Sequence, residues 1–431
     1  MQANRVAILT ILFLSVGFAS ALAVGCASPG GEDVRFVATN ANIQDPFGLV
    51  VHSLDNASMT SLSALGCYLV RRDLSWADIE PYPDAWNFNG SFFYNGNWVN
   101  VTPAGGFLRN LDDEFNRSAA AHVKILLILD YTPLWAVNSK YAAENASAGG
   151  DQFLPPDTVA WRTMVYTVMD HYANNPALYG FEVWNEPSGG FMHGWDKDND
   201  YLEMLQIAVE EAQVVNAALG AHVIKVFATD WPHFMNLVTN ATVLNLLDGA
   251  AWHDYGMLPE DARADITRMM QTKPRPDFEL LVTECGYPVG TGFTADSFRV
   301  TSEEQADLLV ETYAVLVESM DSVFWYDHRG TEGFSIYRTD IGTPTPAFAA
   351  FQEVAGVMRN LNRTIPLTTA TGNNSFEFQG ARLEVHAFVG AGRVVIIYWT
   401  RGPACNLQFQ FGSTTLSAQI FTAPINETES I

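Results

Sequence analysis

Basic residues are scarce in this chain: 23 lysines and arginines stand against 48 acidic residues, for a formal net charge of -25. That balance repels phosphate backbones and anionic lipid and leaves no basic patch, which excludes nucleic acid as a partner. Cysteine is rarer still. Cys26, Cys67, Cys285 and Cys405 lie far apart with no CxxC pair, which argues against zinc or any other metal and leaves disulfide pairing open. No glycine-rich phosphate turn opens a strand-helix unit, so the dinucleotide fingerprint of a doubly wound sheet is missing and no cofactor is indicated. No internal repeat, low-complexity tract or long charge run interrupts the 431 residues.

What is present is apolar and aromatic. Hydrophobic residues make up 48% of the chain and aromatics 12%, against 16% charged, a composition that suits a neutral, polar, ring-shaped ligand such as a sugar. Residues 1–23 read as a secretory signal: Arg5 supplies the positive start, VAILTILFLSVGFA the apolar segment, and Ala19, Ala21 and Ala23 small-residue cleavage sites. Its apolar run is too short for a membrane span, and none is expected after its removal. Alternatively AVGC reads as a weak lipoprotein box that would leave a lipidated Cys26. Nine sequons, at Asn56, Asn89, Asn100, Asn116, Asn145, Asn240, Asn362, Asn373 and Asn426, point to a secreted or surface-exposed glycoprotein, expected to be a monomer.

Short runs rich in Val, Ile, Leu and Phe alternate with stretches of helical period, the signature of repeated strand-helix units around a parallel sheet. The runs are GLVVHS (48–53), CYLVRRD (67–73), VKILLILD (123–130), YGFEVW (179–184), HVIKVFATD (222–230), GAAWHDYG (249–256), ELLVTE (279–284) and DSVFWYD (321–327). Each is nearly continuous in apolar residues, as in strands covered by helices. Eight units over 41–362 predict an α/β fold, a closed (β/α)8 barrel. A helix is expected over 301–320, with Glu304 and Gln305 answering Thr301 and Ser302 in capping boxes and a stripe of Ala306, Leu309, Tyr313, Leu316 and Met320. From 366 to 431 the pattern turns to short alternating runs, predicting a small C-terminal antiparallel β domain, sandwich-like, joined by a strand from 33–40.

In such a barrel the active site lies at the carboxyl ends of the strands. Polar residues cluster there: Arg71, Arg72 and Asp73 after the second run, Asn185 and Glu186 after the fourth, His253, Asp254 and Tyr255 after the sixth, Glu284 after the seventh, and Trp325, Tyr326 and Asp327 after the eighth. Two glutamates on opposing parts of a ring, among aromatics, are what glycosidic bond cleavage needs. VRRDLSWADIEP (70–81), WNF (86–88), DYTPLWA (130–136), WNEP (184–187), the HDY of the sixth strand, TECGYP (283–288) and FWYD (324–327), in this order, resemble a retaining glycoside hydrolase of clan A, similar to families 5 and 39.

The resemblance implies that Glu186 is the general acid/base and Glu284 the nucleophile. Asn185 would bind the sugar 2-hydroxyl, Arg71 would lie by the nucleophile, Tyr255 would donate to Glu284, His253 would line the site and Trp325 would form the platform under the sugar. Strand alternation puts Arg71 and Asp73 on one face and turns Arg72 outward. Glu284 should then be held ionised and Glu186 should begin protonated, with the carboxyls at the roughly 5–5.5 Å spacing of retention.

Plainer roles stand beside these. Trp184 and Trp325 can fill the barrel top, Arg71 can neutralise Asp73, and His253 can be a hydrogen-bonded core residue. The aromatic segment DAWNFNGSFFYNGNWVN (84–100), His193 and Trp195 are subsite candidates, and GGDQFLPP (149–156) reads as a loop over the mouth. Asp196, Asp198 and Asp200 lack the glycine and terminal glutamate of a calcium loop. The expected function is cleavage of an oligo- or polysaccharide by double displacement. The alternatives are a catalytically weak carbohydrate-binding surface protein on the same barrel, and a transglycosylase.

Overall fold

A computed structural model of the chain describes residues 7–12, 22–26, 34–42, 45–100, 110–231, 233–234, 241–256, 258–290, 299–331, 333–366, 375–378, 381–390, 393–401, 407–410, 418–422 and 427–429. Eight parallel strands close into a barrel in which neighbours along the chain are neighbours in the ring. They are β1 (Phe47–Val50), β2 (Leu69–Asp73), β3 (Lys124–Leu129), β4 (Leu178–Val183), β5 (Val226–Ala228), β6 (Gly249–Asp254), β7 (Glu279–Cys285) and β8 (Ser322–Trp325). All eight fall on the runs singled out in the sequence, because a strand buried on both faces must be apolar at almost every position. β5 starts late for a local reason: Asn216 Oδ1 accepts from the backbone N–H groups of Val223 and Ile224, both at 2.8 Å, and holds them out of the sheet.

Alternation divides the side chains between two cores. Val50, Leu69, Leu126, Phe227, Ala251, Leu281 and Phe324, with Tyr179, fill the barrel interior, while a larger cluster that includes Val70, Leu127, Val183, Val282, Val323 and Trp325 packs against the surrounding helices. The helix Ser302–Leu316 shows how the outer layer is tied down. Thr301 and Glu304 form the capping box, and Ala306, Leu309, Tyr313 and Leu316 are buried. Gln305, expected in a second box, instead donates to the carbonyls of Tyr287 (2.8 Å) and Gly333 (2.9 Å), fastening the helix to the segments that follow β7 and β8.

The companion sheet has ten strands and draws on both ends of the chain. Val34–Asn42, close to the strand expected at 33–40, pairs antiparallel with Asn362–Pro366. Leu22–Cys26 pairs with Val34–Asn42, and Ala7–Leu12 lies between Arg393–Arg401 and Ala418–Thr422. The expected leader therefore supplies a strand here: a short Ile- and Leu-rich run serves a strand as readily as a signal. Arg401 joins sheet to barrel by donating to Glu260 (2.8 Å) and Glu311 (3.2 Å), and Arg263 reaches Glu384 at 2.6 Å. Cys67 and Cys285 are buried free thiols. Cys405 and the sequons at Asn240, Asn373 and Asn426 lie outside the described residues. Asn56, Asn89, Asn100 and Asn116 are exposed.

Candidate active site

β2 sets the floor. Leu69, Arg71 and Asp73 face inward, and Arg72 turns out to bond Glu114 of the helix Leu111–Ala120 at 3.1 Å. Arg71 is 1% exposed and spends its guanidinium on three acceptors: Nε on Glu182 (2.6 Å), Nη1 on Glu284 (2.5 Å) and Nη2 on Asn185 (2.9 Å). Burial works against its charge, but Glu182 and Glu284 outweigh burial and push its pKa further up. The role open to Arg71, neutralising Asp73 alone, is thus too small. Glu182, fully buried, also accepts from the Thr283 hydroxyl at 3.1 Å.

Glu284 owes its aim to a bulge. Val282 pairs with Val323 and Cys285 with Trp325, so Thr283 and Glu284 together oppose the single residue Phe324. The extra residue lets both side chains enter the barrel, where strict alternation would admit one. The other Glu284 oxygen accepts from the Tyr255 hydroxyl at 2.8 Å. Tyr255 titrates well above its ordinary range, through burial first and then the Glu284 charge, so it stays a neutral donor.

Glu186 is aimed by backbone geometry. Trp184 (φ 64°) and Glu186 (φ 42°) both take left-handed conformations as the chain leaves β4. For side chains other than glycine this costs on the order of 1–2 kcal/mol per residue, and such outliers cluster at functional sites. The surroundings hold the kink: the Trp184 indole donates to the Phe191 carbonyl at 2.8 Å, and Gly189 N–H bonds the Glu186 carbonyl at 2.9 Å. Trp184 is fully buried between Tyr131 and Trp161, a packing residue. Asn185 donates to the Tyr131 hydroxyl at 3.2 Å while accepting from Arg71.

His253 stands between the carboxylates, its Nδ1 2.7 Å from Glu186 and 3.7 Å from Glu284. One donor atom each of Glu186, His253 and Glu284 lie within 4.8 Å of one another. Such a trio could ligate a cation, yet Arg71 and Tyr255 already donate to both Glu284 oxygens and His253 Nδ1 is committed to Glu186. His253 Nε2, by contrast, is buried without a hydrogen-bond partner among the described residues.

The protonation of Glu186 departs from expectation. Burial raises its pKa, but the hydrogen bond from His253 and the charges of His253 and Arg71 outweigh burial, and the carboxyl lies below its ordinary value. His253 moves the other way: burial pulls it down, and Glu284 and the Glu186 bond lift it above 6.5. Both shifts favour the imidazole over the carboxyl as the holder of the pair's proton.

Trp325 requires a correction. It is fully buried on the outer face of β8, with its indole near the Phe334 carbonyl (3.4 Å) and its ring 6.1 Å from Tyr287, and offers no face to a sugar. Parity is the cause: Phe324 and Tyr326 point inward and Trp325 outward. Tyr326 is the aromatic ring at the mouth, edge-on to His52 at 5.6 Å and to Phe334 at 5.5 Å. Glu182, Thr283, Tyr131 and Tyr326 are thus the participants that carry no role in the sequence reading. Parity alone signals Glu182 and Tyr326.

The loop 149–156 does lie at this end, with Phe153 edge-on to Tyr131 at 5.0 Å. The Asp196–Asp200 segment is closed by a lysine: Lys140 bonds Asp196 at 3.2 Å and Asp200 at 2.5 Å.

No family model matches the sequence, and a search of curated proteins finds no match. Solved structures do resemble the chain. A family 39 glycoside hydrolase from the gut symbiont Bacteroides cellulosilyticus aligns over 94% of this chain and 96% of its own, with a TM-score of 0.52 and 15% identity. A family 39 β-xylosidase from Caulobacter crescentus aligns over 80% and 79%, with a TM-score of 0.55 and 16% identity. A glucosidase from Croceicoccus marinus aligns over 82% and 76%, with a TM-score of 0.51 and 15% identity. At such identities the likeness is one of fold: the chain is an eight-fold α/β barrel with a companion β sheet, an architecture it shares with clan A glycoside hydrolases.

Proposed function

We propose that the chain is a retaining β-glycoside hydrolase, exported, that cleaves O-glycosidic bonds of an oligo- or polysaccharide. One observation carries the reading: Glu186 and Glu284, 98 positions apart in the sequence, bring carboxylate oxygens within 4.8 Å of each other at the mouth of the barrel. That separation supports retention, since an inverting pair stands roughly 6.5–9.5 Å apart to admit a water.

In the first step a Glu284 oxygen attacks the anomeric carbon. The bond to the leaving oxygen breaks, and that oxygen takes the proton held by the Glu186–His253 pair. Arg71 and Tyr255 orient the attacking carboxylate. The second amide hydrogen of Asn185, whose partner hydrogen is used on Tyr131, serves the sugar 2-hydroxyl. In the second step Glu186 accepts a proton from water, the hydroxide displaces Glu284 from the same face the leaving group left, and the configuration is restored.

Export rests on the N-terminal signal pattern and on the exposed sequons. Among the described residues no helix is long and apolar enough to cross a membrane. N-terminal sequencing of the mature protein decides between cleavage after residue 23, lipidation of Cys26 and retention of the strand at Ala7–Leu12.

The test of the chemistry is a panel of aryl β-glycosides and polysaccharides given to wild type and Glu284→Ala in parallel. Turnover should fall by at least about 10³-fold in the variant. Azide should restore release of the aryl group and yield a glycosyl azide of opposite anomeric configuration. Ordinary turnover by Glu284→Ala would remove the nucleophile, and binding without hydrolysis by wild type would favour a carbohydrate-binding protein.

A further inference from the structure

The geometry points to a sugar-binding strip made of Phe191, His193 and Trp195, which receives the leaving-group end of a neutral β-linked oligosaccharide or polysaccharide; this rests on the hydrolase reading above. The three alternate along the loop that follows Glu186 and are 39%, 46% and 71% exposed. Between them Met192 is buried as an anchor. Gly194 (φ +99°) lies so close to Tyr141 that a Cβ there would come within 2.8 Å of its ring. The loop is thus built to turn three rings outward and hold its own backbone down.

Each ring is braced from behind. Phe191 lies nearly parallel to Tyr131 at 6.3 Å and edge-on to Phe153 at 5.7 Å. His193 bonds Asp151 at 2.7 Å through Nδ1, and its backbone N–H bonds the Phe153 carbonyl at 2.9 Å. Trp195 lies over the Lys140 ammonium at 5.4 Å and beside Tyr141 at 6.0 Å. Exposed aromatics held this rigidly lose little freedom when a flat ligand lies on them, which favours binding.

The ligand chemistry follows. Aromatic faces stack on the C–H faces of pyranose rings, and the imidazole offers a hydrogen bond to a hydroxyl. The cations nearby are already engaged, Lys140 by Asp196 and Asp200, His193 by Asp151 and Lys197 by the carbonyls of Ser188 and Gly189, so none of them is left to grip an anionic ligand. It is also continuous with the point of cleavage: Phe191 follows Glu186 by five residues, and its partner Tyr131 bonds Asn185. Because Glu186 faces the leaving oxygen, the loop running out from it lies under the leaving portion of the substrate.

The experiment compares wild type, Phe191→Ala and Trp195→Ala on a nitrophenyl β-monosaccharide that wild type cleaves and on β-linked oligosaccharides of the same sugar of increasing length. With oligosaccharides each variant should lose about 10-fold in kcat/KM, carried by KM, the order expected for one lost stack. With the nitrophenyl glycoside Trp195→Ala, which touches none of the groups around Glu186, should stay within about 2-fold of wild type, since the short leaving group does not reach the strip. Equal losses by Trp195→Ala on both substrates would overturn the strip and make the rings supports of Glu186, and an unchanged KM for oligosaccharides would overturn it outright. Affinity electrophoresis of the Glu284→Gln protein through gels containing soluble xylan, glucomannan or β-glucan reads binding without turnover. Retardation abolished by adding Phe191→Ala or Trp195→Ala supports the strip even if wild type hydrolyses nothing. Retardation that is absent, or unmoved by the substitutions, overturns it whatever the catalytic result.

Discussion

Arg71 of β2 reaches across the barrel to the Glu284 carboxylate of β7 at 2.5 Å, and the same guanidinium holds Glu182 and Asn185. One planar cation thereby fixes the proposed nucleophile, the amide proposed to bind the sugar and a buried counter-charge together. A lysine ammonium carries the same charge but cannot reach three acceptors in that plane. Arg71→Lys should lower kcat by about 10²–10³-fold, as when one preorganised donor is lost, measured by steady-state hydrolysis of an aryl glycoside.

The Glu186–His253 pair makes a prediction about pH. With His253 raised and Glu186 lowered, the last proton of the wild-type pair leaves from the imidazole, and the basic limb of kcat/KM should lie above 6.5. In His253→Asn the only proton left to lose is that of Glu186, freed of its cationic neighbour. The basic limb should therefore move to lower pH. A limb that stays in place would show that His253 does not share the catalytic proton.

Glu182 acts through Arg71 and Thr283. Glu182→Ala leaves a buried guanidinium short of one counter-charge and should cost about 3–5 kcal/mol in urea unfolding, the usual price of breaking a buried pair. Glu182→Gln keeps the hydrogen-bonding shape. It should recover only part of that stability, the shortfall measuring the lost charge, whereas a purely space-filling role would be restored in full by the isosteric amide.

His328, 1% exposed, tests the link between titration and stability. Its burial, and then the Arg329 charge, pull its pKa from 6.5 to about 3. Between those values the unfolded chain binds a proton that the folded chain refuses. Stability contributed by the neutral imidazole is therefore intact above 6.5 and is lost as pH falls toward about 3, with a slope approaching about 1.4 kcal/mol per pH unit. His328→Gln, whose amide reaches the Nε2 position that bonds Ser61, should flatten this part of the curve in denaturant titrations at successive pH values.

Much of this architecture is legible in the sequence because burial leaves marks there. Continuous apolar runs reveal all eight barrel strands, and polar residues at their ends disclose Glu186, Glu284, Asn185, His253 and Tyr255. Parity along β2 separates Arg71 from Arg72. The same parity, applied to β8, turns Tyr326 inward and Trp325 outward, which the motif match alone does not reveal. What composition cannot convey is register. The bulge that aims Glu284 depends on how β7 meets β8, and the Glu186–His253 contact depends on the segment after β4 meeting the end of β6, so neither leaves a local signature. The strand at Ala7–Leu12 is hidden for the opposite reason, since its composition fits two fates equally well.

The pairing of Val34–Asn42 with Asn362–Pro366 has a consequence during synthesis. The first of these segments leaves the ribosome long before its partner exists, with the whole barrel to be translated in between. At roughly 5–20 residues per second it waits some 15–60 s with an unpaired edge, exposed to chaperones or to other nascent copies. The barrel can begin to condense as its units appear, but its first and last strands are stapled side by side only near the end of translation. Slow, late maturation of the companion sheet should then be the step at which this chain is most easily lost to aggregation.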